Sequence, residues 1–280
     1  MIKANEIKVH PTANISPDAI IECNTFTLGK HSYIGAGVKI TCNNFIAGDY
    51  LWMPGASEVG RGGCNGPSSD VTIGSSVGIF EGVVINPSES VTIGDCVGIG
   101  ADCLIWSHGA WLDPLKGFPY SFESVSIGSN VWFPARSILL PGCSVGDDCV
   151  IGTGSIVTKS IPSGSLAMGS PCVVVKENYY PKVLTTEAKD SILASIIASW
   201  VKRILPHKGI EIKDWIVNDG ECTIEHTDQT VTIFDTNNYV MKGEENDIAE
   251  DLRDYFRRHG IRIYNGKPFK SMKPLYETTL

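Results

Sequence analysis

Residues 126–157 read SIGSNVWFPARSILLPGCSVGDDCVIGTGSIV, and within them Ile127, Phe133, Leu139, Val145, Ile151 and Val157 recur at every sixth position. A helix would space its apolar residues three or four apart, and a half-buried strand would alternate them. A period of six instead gives one short strand and one corner per repeat, so three repeats close a triangular coil. Stacked coils bury the aliphatics in columns and pair as parallel strands, which satisfies backbone polar groups between coils.

The rhythm extends upstream through Leu28, Ile34, Ile40 and Ile46, through Ile73, Ile79 and Ile85, and through Ile93, Ile99 and Ile105. Glycine often follows the aliphatic, as in Leu28-Gly29, Ile93-Gly94 and Ile151-Gly152, and reads as backbone freedom where the chain turns. Two stretches interrupt the repeat. Residues 47–72 form a Gly-rich excursion with Trp52 and Met53 expected at the surface, and residues 106–126 form a loop that contains His108. Loops extruded from a rigid repeat are where function concentrates.

Beyond GSPCVVVK the character changes. Residues 187–205 read as an amphipathic helix with Thr185 and Thr186 as caps, ECTIEH and TVTIFD as two strands around a turn, NDIAEDLRDYFRRHG as a second helix, and IRIYN as a last strand. The run Arg257, Arg258, His259 reads as a solvated helix end.

The 280 residues carry a formal charge of −8 with no basic stretch, which argues against a general nucleic-acid binder. The N-terminus lacks the apolar core of a signal peptide, and no run reaches the roughly 20 apolar residues of a membrane span, so the chain reads as cytoplasmic. Nine cysteines without a C-x-x-C pair read as free thiols, with Cys96, Cys103, Cys143 and Cys149 inside the repeats.

Residues 126–177 resemble the end of a hexapeptide-repeat acyltransferase. They most resemble the galactoside, maltose and xenobiotic O-acetyltransferase group, on the motifs Asn130-Val131-Trp132, Pro141-Gly142, IGTGSIVTKSIP and GSPCVVVK. The likeness covers residues 70–177 well and 10–50 loosely. It implies a mainly β fold, a left-handed parallel β-helix of hexapeptide repeats over residues 1–186, to which residues 187–280 add a small α+β appendage. It also implies a homotrimer with active sites between neighbouring subunits, and acetyl-CoA or another acyl-CoA as co-substrate with no metal.

His108 falls at the position of that group's catalytic histidine. A sugar hydroxyl is a poor nucleophile until its proton has somewhere to go, and a neutral imidazole accepts it at physiological pH. No covalent intermediate is required, because the thioester is already activated and the two substrates need only be held in line. Asp113, Glu123 and Glu81 are the carboxylates from which an orienting partner could come, and each also reads as a solvated side chain. On the donor side the resemblance assigns Trp132 beside the pantetheine arm, Gly152 in GTGSIVTK, and Thr158 and Lys159 near the adenine and 3′-phosphate. Where the group carries a cation after G-x-P-C, this chain has Val173, and Lys176 is the substitute. On the acceptor side it assigns Glu81, Asn86 and Trp111.

These readings combine into an acyl-CoA-dependent O-acyltransferase acting on a saccharide hydroxyl, in surface polysaccharide biosynthesis, with His108 as general base. The alternative on the same scaffold is an N-acyltransferase of a nucleotide-linked amino sugar, in which His108 would matter less. A zinc carbonic anhydrase would need His10, His31 and His108 to converge. A scaffold without catalysis would have no use for the Thr-Lys and Asn-Val-Trp motifs.

Overall fold

A computed structural model describes residues 1–62 and 66–273. Three residues of the Gly-rich excursion and the last seven of the C-terminal region therefore lie outside the described residues. The chain divides into two compact units, Met1–Lys182 and Val183–Leu280.

The first unit is a parallel β-helix of about nine turns with three faces. One face stacks Asp70–Ile73, Val91–Ile93, Val125–Ile127 and Ser144–Val145. The second stacks Gly78–Ile79, Gly98–Ile99, Trp132–Phe133 and Val150–Ile151. The third stacks Glu58–Val59, Val84–Asn86, Leu104–Trp106, Ile138–Leu139 and Ile156–Val157. All six apolar residues of the 127–157 run, five aliphatics and Phe133, are buried in the resulting column. In this run Ile127 pairs with Val145 and Leu139 with Val157, so each coil is the length of three perfect repeats.

Elsewhere the coil length varies, and the variation positions the site. Ile73 pairs with Ile93 and Ile85 with Ile105, returns slightly longer than three repeats. Ile93 pairs with Ile127 and Ile105 with Leu139, returns nearly twice as long as the regular coil. The coil from Val59 to its partner Ile85 is intermediate. Both lengthened coils open at the corner between the third face and the first. One loop leaves after Glu58–Val59 and the other after Leu104–Trp106, and Val84–Asn86 pairs with both of these strands.

Three expectations from the repeat need correction. Ile46 is 42% exposed while Phe45 and Ala47 are buried, because Lys39–Ala47 runs past a corner as one long strand and resets the alternation. The excursion 47–72 is mostly regular coil. It contains Trp52–Gly55 and Glu58–Val59, and Met53 is buried although Trp52 is indeed exposed.

The third correction concerns the glycines after the aliphatics, none of which adopts a positive φ. They are small rather than flexible. A Cβ on Gly74 would lie 2.4 Å from Asp95 Oδ1, and one on Gly94 would lie 2.6 Å from Ser129 Oγ. Those oxygens belong to a relay up one corner. Ser75 N–H donates to Asp95 Oδ1 at 2.6 Å, Asp95 N–H to Ser129 Oγ at 3.0 Å, Ser129 N–H to Asp147 Oδ1 at 2.6 Å and Asp147 N–H to Ser163 Oγ at 3.0 Å. Alternating Asp with Ser satisfies each corner N–H without placing two carboxylates on adjacent coils.

The second unit has a helix at Thr186–Ser199, capped by the Thr185 hydroxyl, that passes through a π-helical turn at Trp200–Ile204 into Leu205–Lys208. Its antiparallel sheet has four strands, Asp214–Asn218, Glu221–Glu225, Val231–Asp235 and Val240–Gly243, of which the sequence pattern marks only the middle two. The helix Asp247–Arg258 follows, capped by Asn246. IRIYN is not a strand. The buried Arg253 guanidinium donates to the Ile263 carbonyl at 3.1 Å and, beyond the segment, to the Pro268 carbonyl at 2.6 Å, so a side-chain donor occupies one of the carbonyls a ladder would need. Arg257 and Arg258 each pair with Asp254 at 2.8 Å, and Arg258 and His259 lie exposed at the helix end, as the sequence pattern suggests.

Candidate active site

His108 stands where the third face opens into its loop. His108–Gly109 pairs antiparallel with Ser121–Phe122, setting His108 opposite Phe122, and the two rings stack at 5.5 Å with 25° between planes. Trp106 meets the imidazole edge-on at 5.8 Å. Ser107 ties the hairpin to the preceding coil. Its hydroxyl donates to the Asn86 carbonyl at 2.8 Å and accepts from Glu89 N–H at 2.9 Å. The half-buried imidazole is therefore held by strand pairing below, aromatic contact on its flanks, and a side-chain staple at its root.

The hydrogen-bond partners of the imidazole among the described residues are both neutral. Asn86 Oδ1 lies 2.7 Å from Nδ1 and Ser88 Oγ lies 2.9 Å from it. The three carboxylates considered as orienters have other roles. Asp113 caps the Pro114–Lys116 turn through Leu115 N–H, Glu123 accepts from the Ser121 hydroxyl at 2.8 Å, and Glu81 is exposed. Burial pushes Cys103 up to about 11 and, with Glu123 adding to it, raises Cys143.

The expected acceptor residues separate. Asn86, expected on the acceptor side, is fully buried with its Oδ1 addressed to His108. Glu81 lies at the other end of the strand Val84–Asn86, on the preceding corner, where its carbonyl accepts from Asp102 N–H. Trp111 is 95% exposed on the hairpin tip, beside an open cleft shared with Tyr120.

The expected donor residues also divide. Thr158 and Lys159 follow Ile156–Val157, two strands along the third face from Leu104–Trp106, and are exposed on the same edge as His108. At about 4.8 Å per strand this is about 10 Å along the stack. Trp132 lies exposed on the second face, and Gly152 follows Ile151 there, where a Cβ would meet Met168 Cβ at 2.5 Å. Lys176 ends the strand Val173–Lys176 of that sheet, its ammonium 4.2 Å from the centre of the Tyr179 ring.

Ser88 and the loop at Arg61–Gly62 escape a reading of the sequence alone. The signal for Ser88 is the slightly lengthened coil: Asn86 pairs with Trp106, which puts Ser88 level with His108. The signal for Gly62 is weaker, a glycine in a Gly-rich run. A Cβ there would lie 3.1 Å from His108 Cε1 and 2.8 Å from Asn86 Nδ2, at a φ of +99°.

The coil and its six-residue repeat define the class, a hexapeptide-repeat parallel β-helix. Residues 124–159 match the family described as bacterial transferase hexapeptide (six repeats). The chain is similar to the galactoside O-acetyltransferase group within it. It is 48% identical over 62 residues to the galactoside O-acetyltransferase of Escherichia coli (strain K12), a stretch covering 22% of this chain and 30% of that protein. It is 45% identical over 62 residues to the galactoside O-acetyltransferase of Lactococcus lactis subsp. lactis (strain IL1403), with the same coverage of both chains. The matched stretch thus spans under a third of these curated relatives. Among solved structures, a galactoside acetyltransferase in complex with coenzyme A is 28% identical, with a TM-score of 0.32, over 52% of this chain and 72% of that one.

Proposed function

We propose that the protein is an acyl-CoA-dependent acyltransferase that uses acetyl-CoA to acylate a saccharide hydroxyl, with His108 as general base. The observation that carries this reading is the imidazole itself, presented at the one corner from which both coil excursions emerge and gripped on a single nitrogen. The galactoside O-acetyltransferases it resembles supply the reaction class. The matched residues 124–159 include Trp132, Gly152, Thr158 and Lys159.

In this reading the acceptor hydroxyl oxygen attacks the thioester carbonyl carbon as His108 takes its proton. The carbon–sulfur bond then breaks, and the proton passes to the departing thiolate. Such proton transfer is worth roughly 10²–10⁴ in rate. Lys159 and Lys176 serve as point charges for the donor's phosphates, Trp132 lies beside its pantetheine arm, and Trp111 and Glu81 lie toward the acceptor. Because these groups occupy different edges of one chain, the reading includes a homotrimer in which neighbouring copies complete each site. It needs no metal, and it places the enzyme in the cytoplasm, in surface-polysaccharide assembly.

Thiol release from acetyl-CoA, measured across neutral sugars, amino sugars and nucleotide sugars with native protein and His108→Ala, tests it. Turnover on a hydroxyl acceptor that falls roughly 10²–10⁴-fold in the variant is expected. Full turnover of the variant on an amine acceptor would move the reaction to N-acylation.

A further inference from the structure

We infer that Asn86 and Ser88 form a carboxylate-free clamp that holds the proton of neutral His108 on Nδ1, leaving Nε2 to act as the base, and that the Gly-rich loop at Arg61–Gly62 sets the clamp. The inference rests on the reading of His108 as the base and adds how that base is prepared.

The argument turns on which way the Asn86 amide faces. Asn86 Nδ2 donates to the Arg61 carbonyl, so Oδ1 is the atom turned toward His108. Oδ1 also accepts from Ser88 N–H at 3.3 Å. An acceptor oxygen 2.7 Å from Nδ1 is compatible with a protonated Nδ1 and repels a lone pair there. Ser88 Oγ, 2.9 Å from the same nitrogen, then receives the second branch of a three-centre bond. Nε2 has no hydrogen-bond partner among the described residues, so its lone pair is left for an acceptor proton.

The clamp reaches across coils. Arg61 and Gly62 follow Glu58–Val59, Asn86 ends the next strand of the third face, and His108 follows the one after. A side chain at Gly62 would strike both Asn86 Nδ2 and the imidazole, so glycine lets the loop carbonyl come close enough to take the amide proton. Both partners of Nδ1 are neutral, so the clamp orients the ring and selects its tautomer without adding charge to hold the imidazolium.

Two-bond proton–nitrogen NMR on protein with labelled histidine reads the tautomer directly, with His108→Ala assigning the signal. The clamp predicts the Nδ1–H form, and the Nε2–H form would overturn it. Ser88→Ala is expected to lower kcat about 3–10-fold with the acceptor KM unchanged and to shift the Nδ1 resonance, while the Nδ1–H form set by Asn86 Oδ1 persists. A native spectrum together with native kcat in this variant would remove Ser88 from the clamp. Asn86→Asp places a carboxylate on Nδ1 and is expected to move the acid limb of kcat/KM upward by roughly 1–3 pH units, and an unmoved limb would contradict the assignment. Failure to transfer an acyl group to any acceptor would fault the functional reading alone, since the tautomer is read without turnover.

Discussion

The coils at 125–157 and those at 84–123 share one cross-section and differ in what happens at one corner. In the first, Leu139 returns to Val157 after three perfect repeats, and the corner is closed. In the second, Ile105 returns to Leu139 only after nearly twice that span, and the added chain forms a hairpin whose first residue is His108. Repetition supplies a rigid column in which almost every inward side chain is buried. The interruption spends that rigidity on a single imidazole, fixed by the coil beneath it and open on its outer side. The two regions should therefore respond to substitution in opposite ways, the closed coils through stability and the open one through chemistry.

The sharpest stability contrast is between Ile151 and Trp111. Ile151 is wholly buried and Trp111 is 95% exposed. Ile151→Ala should cost about 2–5 kcal/mol in denaturant unfolding, whereas Trp111→Ala should stay within about 0.5 kcal/mol. Equal losses would mean the hairpin is as integral to the column as the repeat.

A smaller effect separates two glycines. A Cβ on Gly94 would lie 2.7 Å from the Gly128 carbonyl carbon, while nothing lies within 4 Å of one on Gly109. Gly94→Ala should cost about 1–3 kcal/mol and Gly109→Ala almost nothing, as read from the same unfolding curves. A tolerated Gly94→Ala would show that these glycines serve flexibility after all.

The smallest effect appears at alkaline pH. Burial pushes the Cys103 thiol up to about 11 and Cys222, in the other unit, up to about 12. The folded chain therefore holds these protons more tightly than the unfolded chain does. Their contribution is intact below the ordinary thiol range near 9.0 and is lost as pH rises toward about 11 for Cys103 and about 12 for Cys222. Cys103→Ala should flatten part of that decline in melting temperature, and an unchanged slope would remove Cys103 as its source.

The column was legible from residues 127–157 because a six-residue period admits one geometry, and the hairpin was legible as the place where the period stops. The N-terminal coils were less so. Ile46 keeps the spacing yet faces solvent, since long strands such as Lys39–Ala47 replace a corner with continuous backbone. The histidine stood out from its loop, whereas Ser88 did not, and Asn86 was singled out for the acceptor side rather than as a partner of His108. Ser88 and Asn86 belong to another coil, and their level relative to His108 depends on a coil length that local pattern does not reveal. In the C-terminal unit, IRIYN has a strand's composition, but the buried Arg253 captures one of its carbonyl groups, a tertiary contact that propensity does not encode.

The measurement closest to the central claim is acetyl transfer by His108→Ala at matched folded fraction, on whichever acceptor the native protein uses. The account predicts a loss of roughly 10²–10⁴ in kcat with melting temperature and acetyl-CoA affinity preserved. A variant that folds, binds acetyl-CoA and transfers at the native rate would contradict it.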